Sequence, residues 1–335
     1  MTQTVLVTGG SGFIAGWCIA QLLQQGYAVR ATVRSLSKSD TVRATVARAG
    51  VDTARLSFVE ADLTADAGWD AAMAGVDYVM HVASPLGRGG EDLEALVGPA
   101  RDGTIRVLKA ATQADVKRIV VTSSCAAATP RDTSGETSSD ETVWTDVSDP
   151  KLDAYRKSKA IAEKAAWDWM SEYDDPSRMA TVLPAAVFGP ILSREAMSSV
   201  GLIEGLLNGR PPMTPRIGFN VVDVRDVAAL HIRAMTAPEA VGQRFIAAGQ
   251  RMWMRDVAAV LRRELGAAAA RVPKRDMPDW MVRLMAVFVG AMRPLVPMIG
   301  RRHSFSAAKA ERLLGWTARP AETTIADCAE SLEAA

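Results

Sequence analysis

The sequence predicts a doubly wound α/β fold, a parallel sheet covered by helices on both faces, with a smaller, mostly helical lobe toward the C-terminus. Three observations predict it. Short β-branched runs alternate with alanine-rich helical segments through the first half of the chain. Those runs are continuously apolar rather than alternating, as strands buried on both faces are. A glycine-rich turn joins the first run to the first helical segment.

Residues 4–9, TVLVTG, read as a buried first strand, and 14–26, IAGWCIAQLLQQG, as a helix that stops at Gly26. The next strand is 27–34, YAVRATVR. Strands at 55–62, 76–84 and 117–124 follow, each after a helical or turn segment, and 178–189, RMATVLPAAVFG, reads as a further strand. Strands separated by helical segments argue for βαβ units and a parallel sheet. Residues 129–149 are polar, acidic and rich in turn formers. Irregular connections of that length in compact domains are functional or disordered. After residue 190 Gly, Pro and Met become frequent and the rhythm changes. We expect a first domain over 1–190, with about 216–248 returning to its sheet, and a second lobe from 191–215 and 249–335.

Composition narrows the function classes. A net charge of +1 supplies no field to gather nucleic acid or acidic lipid. Cys18, Cys125 and Cys328 have neither metal-ligand spacing nor a disulfide framework, which fits a reducing cytoplasm. His81, His231 and His303 are scattered, so no metal is expected. The N-terminus enters an apolar run almost at once, leaving no room for a signal peptide. The most membrane-like stretch, 280–300, is broken by Arg283, Arg293 and two prolines. It falls short of the roughly 20 apolar residues of a span and reads as a helix covering a cavity.

The turn VLVTGGSGFIAG carries the first chemistry. Gly9 and Gly12 let the backbone turn tightly and approach a pyrophosphate, with Thr8, Ser11, Phe13 and Ile14 around it. The following helix N-terminus offers free N–H donors and a positive dipole end. Ala15 stands where a third glycine is common, a position that concerns helix–strand packing. The second strand ends ATVRSLSK, without the carboxylate that accepts from a bare ribose. Arg34, Ser35 and Lys38 occupy that place, and a guanidinium suits a 2′-phosphate. NADPH/NADP+ is therefore the expected cofactor. Asp62, followed by Leu63 in VEADLT, reads either as an acceptor for the adenine amino group or as a turn cap. In YRKSK, Tyr155 and Lys159 are four apart on a helical segment, with Cβ atoms about 5–6 Å apart. Spacing alone allows a solvated basic face as readily as a lysine acting on a phenol.

Taken in order, TGGSGFIAG, VVTSSCA and YRKSK resemble the extended short-chain dehydrogenase/reductase superfamily. The likeness is closer to its dihydroflavonol 4-reductase-like branch, which includes cinnamoyl-CoA reductases and microbial aldehyde and ketone reductases. YAVRATVRS, VMHVASP, ETVWTD, YRKSKAIAEKAAWDW and VLPAAVFGP carry it over roughly 4–190, VVDVRDVAALH extends it, and the C-terminal lobe matches loosely. The resemblance implies a Rossmann domain that binds NADP over the first region and a substrate-binding second lobe. It implies Ser124, Tyr155 and Lys159 as the catalytic set: proton transfer by Tyr155, a lowered phenol pKa and a ribose contact from Lys159, a carbonyl contact from Ser124. Ser124 is preferred to Ser123 as the last hydroxyl before the small-residue turn. Val82, Ala83 and Ser84 should border the cofactor, with Pro184 and Val187 on the nicotinamide side.

Arg156 and Lys157 read as a solvated face. Thr129 replaces an asparagine of flavonoid reductases, and Arg106 replaces a superfamily asparagine with no consequence we can assign. Specificity is expected from 86–100, 129–150 and the second lobe. There Met197, Met213, Met252, Met254, Phe219 and Trp253 hint at an apolar cavity, although such residues are more often core. The expected activity is NADPH-dependent reduction of a ketone or aldehyde, reversible to alcohol oxidation, on a small apolar or aromatic substrate. Nucleic-acid partners are not expected, and a homodimer is left open. A nucleotide-sugar epimerase or dehydratase is the alternative, disfavoured by Ala186 where those relatives carry Asn. A 3β-hydroxysteroid dehydrogenase-like enzyme is another. A non-enzymatic dinucleotide sensor is disfavoured because both Tyr155 and Lys159 are retained.

Overall fold

The computed structural model describes residues 2–84, 93–150, 152–196 and 199–334. Strands β1 (Thr4–Val7), β2 (Ala28–Val33), β3 (Leu56–Glu60), β4 (Tyr78–His81) and β5 (Arg118–Thr122) alternate with helices α1 (Phe13–Gln24), α2 (Ser39–Ala47), α3 (Trp69–Met73) and α4 (Leu93–Gln113). After the short β6 (Ser138–Ser139) come α5 (Ala154–Tyr173), β7 (Met179–Pro184), β8 (Ala186–Phe188), α6 (Val200–Leu207), β9 (Thr214–Pro215), β10 (Gly218–Asp223) and α7 (Val224–Thr236). The chain closes with β11 (Arg244–Ala247), β12 (Arg251–Trp253), α8 (Met254–Leu265), β13 (Asp276–Met277), α9 (Asp279–Phe288), β14 (Ser304–Phe305), α10 (Ala308–Leu314) and α11 (Ala321–Ala334).

Seven strands form one sheet in the order β11-β7-β5-β4-β1-β2-β3, every pairing parallel. The order reverses between β1 and β4, and the crevice at the strands' carboxyl ends there is where such sheets bind ligands. Two apolar layers sandwich the sheet. One holds Ile19, Leu22, Val227, Leu230 and Trp316, the other Trp69, Leu108, Ala166 and Met170. A separate core built on Val200, Ile203, Val257, Leu261 and Ile325 fills the space behind the three-stranded sheet β12-β10-β8. Helix α1 ends where the sequence places its stop. Gly26 has φ +86°, its N–H bonds to Leu23 O, and Tyr27 N–H reaches Leu22 O, the paired bonds of a Schellman cap.

The run 178–189 is two strands rather than one. β7 lies in the main sheet, while β8 leaves it to pair with β10. Pro184 ends β7 because it has no N–H to continue the ladder. Residues 216–248 likewise divide, β10 joining the small sheet and β11 the edge of the large one. The polar stretch 129–149 is fastened down. Thr145 Oγ1 donates to Ala126 O (2.7 Å) and accepts from Thr129 N (2.8 Å), and β6 pairs with β14. Arg106 also finds a purpose: its guanidinium bonds Asp66 and the Leu63 carbonyl, tying the segment after β3 to α4. Among the described residues no helix is long and apolar enough to cross a membrane. On the 280–300 stretch Met298 faces a cavity, while Trp280 and Phe288 project into solvent.

Candidate active site

A cavity of about 1000 Å³ opens at the switch point of the sheet. Its wall includes Gly9, Ser11, Gly12, Phe13 and Ile14 from the first turn, and Arg34, Asp62 and Leu63 from the ends of β2 and β3. Val82, Ala83, Ser84, Ser124, Tyr155, Lys159, Pro184 and Val187 complete the set that the sequence singled out. Two residues of that set stand off the wall. Thr8 is fully buried, and Lys38 is exposed, 3.9 Å from Glu195.

The turn fits a dinucleotide pyrophosphate. Gly9 has φ +70°, and a Cβ there would lie 2.9 Å from the Ala83 Cβ, so only glycine serves. Gly12 caps α1 with no side-chain hydrogen bond, and no acidic residue sits in the first helical turn. The N–H groups and positive end of a 12-residue helix are thus free to meet an anion. Thr8 works from behind. Its hydroxyl accepts from Ala83 N–H (2.9 Å) and lies 2.9 Å from His81 Nδ1. Thr104 spends its proton on Ala100 O (2.8 Å), so His81 Nε2, 3.2 Å away, must be the donor and Nδ1 the acceptor. Burial, then the Lys159 charge, pushes the His81 pKa down to about 3, and the ring is neutral. Asp62 is a turn cap: its Oδ1 accepts from Thr64 N–H (2.8 Å) and Thr64 Oγ1 (2.7 Å). Those bonds, backbone first, and the Arg34 charge hold its pKa below the usual range.

Helix α5 begins at Asp153, whose Oδ1 accepts from Arg156 N–H (2.8 Å). Tyr155 therefore lies in the first turn and Lys159 one turn on. Lys159, Glu163, Ala166 and Met170 form the buried stripe of the helix, with Lys159 only 7% exposed. The solvated-face reading thus fails for Lys159. It fails for Arg156 too, which lines the cavity and pairs with Asp153 at 3.2 Å. Lys159 Nζ donates to Ser84 Oγ (2.6 Å) and sits 5.5 Å from the Tyr155 ring centroid.

The electrostatics differ from the expected lowering of the phenol pKa. Desolvation at the cavity wall raises the Tyr155 pKa even though the residue is 41% exposed, against a smaller lowering by the adjoining Ser124 hydroxyl. The lysine carries the larger change: burial brings it down to about 8. Its ammonium donates to Ser84 Oγ rather than to the phenol oxygen. A tyrosine that stays protonated has a proton to give, although a raised pKa makes it a weaker acid.

Ser123 and Ser124 are separated by their partners. The Ser123 hydroxyl donates to Glu163 Oε2 (2.7 Å), whereas Ser124 lines the cavity and accepts from Ala126 N–H (3.1 Å). Glu163 was not singled out in the sequence. It accepts from Thr181 Oγ1 (2.8 Å) and Arg244 Nε (2.8 Å), both partners buried. Arg244 in turn donates to the carbonyls of Glu141 (2.7 Å), Val143 (2.9 Å) and Ala127 (3.2 Å), and stacks on Trp144. One buried ion pair therefore joins α5, the turn after Ser124 and the 129–149 stretch. The only hint in the sequence is a glutamate four residues after Lys159, on the same helical face.

The other end of the cavity is lined by Phe219, Met298, Phe305 and Arg301. Thr129 borders it as well. Among the described residues read as hinting at an apolar cavity, Phe219 alone is on the wall. Met252 and Met254 are buried in the second core, Trp253 stacks on Arg251 at 4.0 Å, and Met213 is off the wall. Met197 and residues 86–92 of the 86–100 stretch lie outside the described residues. Cys125 packs with its Sγ 3.1 Å from Leu183 O, and burial pushes its pKa well up.

Comparison with known proteins adds the following. The model of the NAD dependent epimerase/dehydratase family matches residues 5–248. Anthocyanidin reductase of Vitis vinifera is 36% identical over 246 residues, 69% of this chain and 72% of that protein. The ketoreductase azaE of Aspergillus niger is 31% identical over 99% of this chain and 98% of its own. The crystal structure of yeast methylglyoxal/isovaleraldehyde reductase Gre2 with NADPH superposes with a TM-score of 0.81 at 26% identity, covering 98% of both chains.

Proposed function

The chain belongs to the NAD dependent epimerase/dehydratase family, and we propose that it is an NADPH-dependent reductase of ketones or aldehydes, reversible as an alcohol dehydrogenase. Its curated relatives include reductases of this kind, and the similar Gre2 structure holds NADPH. The observation that carries the reading is one cavity wall bearing the glycine turn, Ser124, Tyr155 and Lys159 together.

When bound, the dinucleotide supplies hydride from its nicotinamide C4 to a carbonyl carbon. The chain's residues supply the rest. Helix α1 and the glycine turn hold the pyrophosphate, and Arg34 receives the 2′-phosphate, with Lys38 near it. Val82, Ala83, Pro184 and Val187 bound the pocket for the nicotinamide end, and Lys159 with Ser84 addresses its ribose. Ser124 donates to the carbonyl oxygen, where negative charge develops. Tyr155 delivers the proton to that oxygen, so hydride and proton together convert C=O to CH–OH. Residues 1–190 with about 216–248 serve as the NADP-binding domain; 191–215 and 249–335 shape the substrate end. Phe219, Met298 and Phe305 favour a small substrate with an apolar or aromatic body.

Epimerases and dehydratases of the family return the hydride to the substrate, which leaves the cofactor as it began. Ala186 presents a methyl group to the cavity where an asparagine would meet a nucleotide sugar. The test is stoichiometry. With an aryl ketone or aldehyde, one NADPH should be lost per alcohol formed, and label from the transferred hydride should sit on the carbinol carbon. Conversion of a UDP- or GDP-sugar with no net loss of NADPH would replace the proposal.

A further inference from the structure

The substrate end of the cavity is bounded by residues 298–305, and that segment is firmly held. The Gly300 N–H donates to Arg216 O (2.8 Å), Arg251 bonds the Arg301 carbonyl, and β14 pairs with β6. His303 closes the set, with Nδ1 2.9 Å from Thr137 Oγ1, Nε2 3.2 Å from Ser139 Oγ and its ring edge-on to Phe305. The Arg301 side chain is not among the groups so held. The half-buried Arg301 side chain lines the cavity, and among the described residues it has no hydrogen-bond or ion-pair partner.

A second guanidinium lines the same wall. Arg156 adjoins Tyr155 and is tethered to Asp153, a carboxylate that also caps α5. Burial and then the Arg156 charge lower the Arg301 pKa, against a smaller opposing pull from buried Asp149. A guanidinium does not relieve such crowding by losing its proton at neutral pH. What relieves it is an anion, and the planar fork suits a carboxylate. The dinucleotide phosphates do not meet this need. Their receptors, the glycine turn and Arg34, stand at the ends of β1 and β2, whereas Arg156 directly follows Tyr155 at the start of α5 and its charge reaches Arg301.

Resting on the reductase reading, we propose that the substrate is a small oxo acid. Its carboxylate is held by Arg301 with Arg156 beside it, and its apolar body lies on Met298, Phe219 and Phe305. Its carbonyl then falls to Ser124 and Tyr155, and the product is the corresponding hydroxy acid.

The test uses matched pairs that share phenyl group and ketone: benzoylformate against its ethyl ester, and 4-oxo-4-phenylbutanoate against its methyl ester. NADPH oxidation is followed for the unmodified protein, Arg301→Ala and Arg301→Lys, with NADPH affinity measured alongside. In the unmodified protein at least one acid should exceed its ester in kcat/KM. Arg301→Ala should lower the acid-to-ester ratio by roughly 10- to 150-fold, the range for hydrogen bonds to a charged group, and Arg301→Lys by less. Faster reduction of both esters, or an equal loss for acid and ester in Arg301→Ala, overturns the oxo-acid proposal and leaves the reductase reading standing. Loss of NADPH affinity in Arg301→Ala overturns it as well, by assigning the residue to the cofactor. Oxidation of NADPH with neither member of either pair, nor with any ketone, overturns both.

Discussion

Replacing Glu163 by glutamine should destabilise the protein far more than replacing Arg34 or Arg301 on the cavity wall by alanine. The carboxylate is fully buried and meets a 7%-exposed Arg244 at 2.8 Å. Oε1 accepts from Arg244 Nε and Thr181 Oγ1, and Oε2 from Ser123 Oγ and Arg244 Nη2. Glu163→Gln preserves volume but leaves the guanidinium charge without its counter-ion and turns one acceptor into a donor facing a donor. Breaking a buried pair from one side costs about 3–5 kcal/mol. Arg244→Met should cost at least as much, because it also strips the bonds to the carbonyls of Ala127, Glu141 and Val143. Since the pair is one unit, Glu163→Gln with Arg244→Met should cost well below the sum of the two singles, with coupling of roughly 0.5–3 kcal/mol. Urea unfolding followed by circular dichroism gives the midpoint and slope for each. Turnover should fall in Glu163→Gln even where the protein is folded, because Ser124 and α5 share the network. A loss below about 1 kcal/mol, or strict additivity, would refute the reasoning.

Three further outcomes follow from the same geometry. Tyr155→Phe should reduce turnover by roughly 10²–10⁴-fold, the size of a general-acid contribution, while NADPH still binds; retained turnover in stopped-flow assays would remove Tyr155 from the mechanism. Arg34→Ala should weaken NADPH by about 1.5–3 kcal/mol and barely alter NADH, read by cofactor titration; equal losses would place the 2′-phosphate elsewhere. The third concerns acid. His81 and His231 are held neutral by burial, with pKa values pushed down to about 3 and 4. An unfolded histidine titrates near 6.5, so below that pH the unfolded chain binds protons that the folded chain does not. Stability should therefore fall as pH drops from 6.5 toward 4, by about 1.4 kcal/mol per pH unit for each ring. Equal urea midpoints at pH 7 and pH 5 would contradict it.

The residue pattern alone determined the parallel sheet and the glycine turn, because each is a local matter; Ser124, Tyr155 and Lys159 were singled out by the family resemblance of the motifs that carry them. Strand runs, helix stops and the need for a missing Cβ at Gly9 depend on neighbours in the chain. Cofactor choice was legible for the same reason, since it turns on whether a carboxylate or Arg34 ends one strand. What the sequence could not give were quantities set by distant segments. Pro184 marks where 178–189 breaks, but only the pairing of β8 with β10 shows where the chain goes. Ser123 and Ser124 were told apart only by resemblance; their different partners appear when β5 and α5 pack and the Ser123 hydroxyl meets Glu163. The direction of the Tyr155 shift followed from desolvation in the folded chain, which spacing on a helix does not encode. Arg301 is the clearest case. In the chain it is one arginine beside another after a glycine, 142 residues from Lys159, and only the strap formed by β14 on β6 brings its charge to the cavity.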